Sequence, residues 1–284
     1  MRQIIIGIIA LSLGQTAFGN SSQCFPDSKQ RYPIQKNKAL HMGETEFHSL
    51  LKRFKETFSD YVKIRAGKIL KIEAKWKEER VNAHCTRDMQ DNPVIVFNGG
   101  MARHPEMSRD GILLILCHEL GHYMGGAPKA FRGRSQRRSW SSAEGQADYF
   151  ASTKCLPLLF GDGKDLYDYN FIKAADDKSN CLSDQCLRIS LAGLSVARVF
   201  ASLKKSRMPT IGNFEGVEVR NTNHSHASPQ CRLDTFLAGA ICDQDPLGSF
   251  DDSDPQVSAC VRSTNLMNDP KGARPLCWYN PENF

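Results

Sequence analysis

Ser108-Arg109-Asp110-Gly111-Ile112-Leu113-Leu114-Ile115-Leu116-Cys117-His118-Glu119-Leu120-Gly121-His122 decides how the rest of the chain is read. Ile112, Leu113, Ile115 and Leu116 recur at helical spacing, and Gly125-Gly126-Ala127-Pro128 ends the pattern. The stretch therefore predicts a helix with both histidines near its C-terminal end. Upstream, Phe47, Leu50, Leu51, Phe54, Phe58 and Tyr61 step by three and four residues and predict a helix over Glu44 to Tyr61. Then the period changes. Leu70, Ile72, Ala74 and Trp76 alternate with Lys71, Glu73, Lys75 and Lys77, the pattern of a strand with one wet face. Val81, Ala83 and Cys85 suggest a second strand, and Val94 to Phe97 a third that ends at Asn98-Gly99-Gly100. Downstream, helices fit from Ser141 or Ser142 towards Leu156, from Leu187 to Lys205 and from Pro229 to Ile241. A helix, a small largely antiparallel sheet and then mostly helices make an α+β order.

Two histidines four residues apart share a helix face, so His118 and His122 can hold one Zn²⁺ while Glu119 sits beside the water that zinc acidifies. The glutamate accepts that water's proton and passes it to the leaving amine. A catalytic zinc site needs a third protein ligand and an open fourth position. Glu144 and Asp148 lie one turn apart on the next helix and fit as a ligand and an orienting carboxylate for a zinc histidine. Ser141-Ser142-Ala143-Glu144 also reads as a capping box, which would turn Glu144 back to the backbone. The ligand count favours the metal role. A site plan with a third histidine after the motif would put that ligand at Pro128, which has no donor. Cys117 points about 100° away from His118 around the helix, so it belongs to the core or a disulfide.

Together, Cys117-His118-Glu119-Leu120-Gly121-His122 and Glu144-Gly145-Gln146-Ala147-Asp148 resemble the gluzincin metallopeptidases of the HtpX type. A third element, His226-Ala227-Ser228-Pro229-Gln230-Cys231-Arg232, is similar to a downstream His-Pro...Arg segment of that family, although Ala227 stands where proline is usual. The resemblance spans roughly residues 94 to 240. It implies a zincin-like domain with zinc on His118, His122 and Glu144, Glu119 as base and Asp148 behind a ligand. It also implies His226 and Arg232 near the site as candidate catalytic donors for the tetrahedral oxyanion, with His224 as an alternative. Unlike HtpX, the chain has no expected membrane spans.

Met1-Arg2, the apolar run Ile4 to Leu13 and Ala17-Phe18-Gly19 have the order of a secretory signal peptide, with cleavage expected after Gly19. Its apolar run falls short of the roughly 20 residues needed to span a bilayer. Residues 21 to 40, with Pro26 and Pro33, read as an irregular arm. A metallopeptidase domain is expected over residues 20–242, followed by a disulfide-stabilised extension over 243–284. All ten cysteines follow the cleavage site, so several disulfides are expected in an oxidising compartment, the bacterial periplasm or beyond. Cys231, Cys242, Cys260 and Cys277 are expected to pair among themselves, and Cys181 with Cys186 across a short loop. The net charge of +6 becomes +5 without Arg2, the one charged side chain of the signal peptide, and such a modest excess does not point to nucleic acid. One denser basic run, Lys129 to Arg138, could meet acidic substrates or anionic envelope polymers, or be a solvated loop.

The sequence thus predicts an exported zinc endopeptidase acting on proteins or peptides of the envelope or the exterior. Val94 to Phe97 is a candidate edge strand for an extended substrate, or an ordinary internal strand. Two other functions compete: a zinc-holding binding protein without catalysis, and a zinc amidase acting on cell-wall peptides. Glu119 favours catalysis, because holding zinc does not require it.

Overall fold

The computed structural model describes residues 22–23, 29–34, 42–131, 138–161, 181–262 and 271–284. The expected signal peptide lies outside this set, as do most of the irregular arm and Arg132, Arg134 and Arg137 of the basic run. Helix α1 (Glu44–Ala66) buries Phe47, Leu51, Phe54 and Phe58 of the predicted stripe together with Val62, while Leu50 and Tyr61 are partly buried. It runs five residues past Tyr61 because the first C-terminal stop is Gly67, whose left-handed φ of 66° lets its N–H close on the Lys63 carbonyl.

Four strands form the main sheet: β1 (Ser22–Gln23), β2 (Lys71–Lys75), β3 (Ala83–Arg87) and β4 (Pro93–Asn98), in the order β1-β3-β4-β2. β4 pairs antiparallel with β3 but parallel with β2, so the sheet is mixed rather than largely antiparallel. β4 inserts between the two strands that precede it, and this reverses the pairing sense on one side. Every residue of β4 is buried, as suits a central strand covered on both faces. The candidate edge strand Val94 to Phe97 is therefore internal, with both hydrogen-bonding edges occupied, and cannot receive a substrate strand.

Helix α2 (Gly99–Ala102) follows β4, and helix α3 (Arg109–Met124) then carries the histidine motif, starting where the Ser108 hydroxyl accepts from the Gly111 amide. A hairpin of β5 (Lys129–Phe131) and β6 (Arg138–Ser142) leads into helix α4 (Glu144–Phe150). Ser141 and Ser142, expected at a helix start, end β6 instead. The continuation is a π-helical turn over Ala151–Cys155 and helix α5 (Leu156–Phe160). Helices α6 (Asp184–Lys204) and α7 (Pro229–Ile241) complete the helical side, so the architecture is α+β.

α6 departs from expectation in being long and apolar enough to cross a membrane, yet 78% of its apolar window is buried inside the fold. Its apolar residues face neighbouring helices, as in a core helix. Cys231–Cys277, Cys242–Cys260, Cys181–Cys186 and Cys117–Cys155 are disulfides. They indicate an oxidising, extracytoplasmic environment. The C-terminal residues pack directly on α4. Trp278 is fully buried over Gly145, where a Cβ would come within 2.2 Å of the indole, and the Arg274 guanidinium donates to Gln146 Oε1 at 2.7 Å.

Candidate metal centre

α3 and α4 meet at their motif residues. A Cβ on Gly121 would lie 2.9 Å from the Ala147 carbonyl oxygen and 3.0 Å from its Cα, so the small residues of the two motifs are what let the helices approach. That approach brings the Glu144 carboxylate to the histidines. Glu144 Oε2 is 3.4 Å from His118 Nε2, and Glu144 Oε1 is 3.6 Å from His122 Nε2. All three side chains are buried, and His118 Nε2, His122 Nε2 and Glu144 Oε2 make no hydrogen bond. Leaving buried polar atoms without such bonds is costly unless something else satisfies them.

A metal ion fits that requirement. Tetrahedral donors about 2.1 Å from zinc lie roughly 3.4 Å apart, close to the two separations here, and candidate ligand atoms of all three residues fall within 4.8 Å of one another. The group could therefore hold a metal ion. Glu144 does not serve as a capping-box partner: α4 has Ala143 at its N-cap and no side-chain cap bond.

Further contacts aim the ligands. His118 Nδ1 donates to Asp148 Oδ1 at 2.7 Å, which leaves Nε2 facing the cluster. His122 Nδ1 donates to the Ser142 carbonyl at 3.0 Å, with the Ser141 hydroxyl 3.1 Å away. These surroundings push the two imidazoles in opposite directions. Burial lowers the pKa of both, but at His118 the Asp148 charge and hydrogen bond outweigh it and raise the value to about 9. At His122 burial prevails and the value falls to about 4. Burial would raise the Glu144 pKa, yet its interactions with His122, His226 and His118 hold the carboxyl well below the usual range. The cluster thus favours an ionised carboxylate at Glu144.

Glu119, fully buried between the two histidines in sequence, lies near β3, where burial and then the Glu119 charge push the Cys85 thiol up. His226 reaches the cluster from the loop before α7, with Nε2 3.6 Å from Glu144 Oε2 and its side chain 23% exposed. His224 goes elsewhere, packing its ring against Phe131 at 4.3 Å between centroids. Arg232 is close to the site but behind it: Nη2 donates to Asp148 Oδ1 at 2.5 Å, lies 3.4 Å from His118 Nδ1, and the guanidinium stacks 3.6 Å from the Phe200 ring centre. It anchors Asp148. Sequence reasoning missed the Ser141 and Ser142 contacts, because a serine before a helix signals a cap, not a partner for an imidazole on another helix. Compared with protein-family models, with curated proteins and with solved structures, the chain matches none, so the candidate metal cluster carries the functional reading.

Proposed function

We propose that the protein is a zinc-dependent endopeptidase of the gluzincin type, related in its site plan to the HtpX family and exported to act on envelope or extracellular proteins. The supporting observation is the convergence of His118, His122 and Glu144 on one buried site; Glu119, buried and next to His118 in the sequence, is the acid that a purely metal-holding site would not need. In this reading His118, His122 and Glu144 hold zinc, which, when bound, supplies the Lewis acidity that acidifies water and polarises a carbonyl. Glu119 takes the proton of the attacking water and delivers it to the departing amine, a role that contributes typically 10²–10⁴-fold. Asp148 keeps His118 in the tautomer that presents Nε2, and Arg232 keeps Asp148 in place. His226, beside Glu144 and partly open to solvent, is the donor that meets the developing oxyanion. The catalytic unit is read as a zincin-like domain over residues 20–242, with 243–284 as its disulfide-braced extension.

The test is Glu119→Gln in the full chain, assayed against casein and, separately, against purified muropeptides. Retained zinc with cleavage of casein abolished supports the endopeptidase. Cleavage of muropeptides but not casein by the wild type moves the activity to cell-wall amides. A wild type that binds zinc yet cleaves neither is a binding protein.

A further inference from the structure

A cavity of about 540 Å³ lies at the C-terminal end of α3, and the chemistry above makes no use of it. Tyr123 and Met124, which follow His122 directly, form part of its wall, and so does Trp140, which precedes the two serines behind His122. Its charge comes from four bases on three parts of the fold: Arg65 at the end of α1, Arg87 at the end of β3, and Lys129 and Arg138 on the β5–β6 hairpin. Two acids oppose them in the lining. Asp91 pairs with Arg87 at 2.5 Å, and Asp252 pairs with Lys129 at 2.5 Å. Arg65 and Arg138 donate instead to the main-chain oxygens of Leu247, at 2.7 Å, and Phe284, at 3.4 Å. Among the described residues, neither meets a side-chain carboxylate. The lining therefore carries more positive than negative side chains, arranged around Trp140, over which Arg87 stacks at 4.7 Å.

The fold already shows what this wall accepts. Asp252 of the same chain is part of this lining, where Lys129 holds its carboxylate, and outside the lining the Ala127 amide donates to the neighbouring Asp251 carbonyl at 2.7 Å. Main-chain pairing together with capture of an acidic side chain is how an extended acidic peptide would bind, whereas a non-peptide polyanion offers only the charge. Tyr123 and Trp140 add apolar surface for the aliphatic part of such a segment. We propose that this cavity is a docking site for an acidic segment of the protein substrate, separate from the metal centre. The proposal rests on the reading of the protein as a peptidase. It gives that peptidase a preference for unfolded or extended chains that carry Asp and Glu near the cleavage point.

The experiment uses the full chain with Glu119→Gln, so that bound peptide is not cut. Fluorescence anisotropy compares a labelled Asp- and Glu-rich peptide with a neutral peptide of equal length at several salt concentrations. Acidic peptide should bind about tenfold more tightly, and the advantage should shrink as salt rises. Arg65→Glu with Arg138→Glu should erase the preference at an unchanged melting temperature, and Arg65→Lys with Arg138→Lys should keep it. Equal binding of the two peptides in the parent chain, or a preference that survives charge reversal in a folded variant, would overturn the proposal. So would tighter binding of inorganic polyphosphate of matched charge, because the site would then select charge alone. Casein cleavage by the wild type is measured in parallel. Cleavage without an acidic preference removes the docking site and leaves the peptidase standing; preference without cleavage upholds the binding site and removes the peptidase.

Discussion

Behind His118 the contacts run in series: Nδ1 to Asp148, Asp148 to Arg232, and the Arg232 guanidinium onto Phe200. Every member is buried, so the imidazole has little freedom to turn Nε2 away from the cluster. Asp148→Asn keeps the shape of that carboxylate and removes its charge. It should lower zinc affinity about 10- to 100-fold, read by competition with a chromophoric chelator, and an unchanged affinity would remove Asp148 from this role. The sequence makes part of this arrangement visible. Four-residue spacing puts Glu144 and Asp148 on one face, and the distances agree with the ligand assignment of Glu144 over its capping alternative. Arg232 is harder to place from sequence, since it meets Asp148 across 84 residues and no periodicity encodes that contact. Its position, like the separation of His226 from His224, depends on how the loop before α7 returns to the site.

At the scale of elements, the site exists because α3 and α4 touch closely at Gly121 and Ala147. Gly121→Ala adds a methyl against backbone atoms that cannot swing aside, so the helices must separate. The cost should be about 1–3 kcal/mol in stability, measured by urea unfolding, together with weaker zinc binding because Glu144 moves with α4. Stability and affinity both at wild-type levels would show that this contact does not set the ligand spacing. The elements whose pattern switches clearly are legible in sequence: α1 from its three- and four-residue stripe, β2 from strict alternation with lysines, α7 from Pro229 onwards. β4 is not, because an unbroken apolar run looks the same at an edge and at a sheet centre until its neighbours are known. Nor does the sequence reveal the π-helical turn at Ala151–Cys155, which changes the register of an apolar run that reads as one continuous helix.

Across the whole molecule, cross-links and buried aromatics hold in place the helices that carry the candidate metal ligands. Cys117, beside His118, is bonded to Cys155 in the π turn, and Cys231, beside Arg232, is bonded to Cys277, which precedes Trp278 over Gly145. The disulfides therefore brace the surroundings of the site as well as the C-terminal residues. Replacing Cys117 and Cys155 with serine should cost about 2–4 kcal/mol, read by chemical denaturation, and should shift the urea midpoint more in the zinc-loaded protein if the bond also orients the ligands. No change in midpoint would contradict that bracing. An even set of cysteines makes cross-linking readable in advance, while the partner of Cys117 is not, since it comes from a helix whose position depends on the tertiary fold.

The central claim is that three side chains, drawn from two helices, form one metal site. Zinc content per chain, measured by mass spectrometry of wild type and Glu144→Ala purified side by side, tests it most directly. The account predicts one zinc in the wild type and its loss in the variant; a wild type free of zinc after loading, or a Glu144→Ala protein that keeps full occupancy, would contradict it.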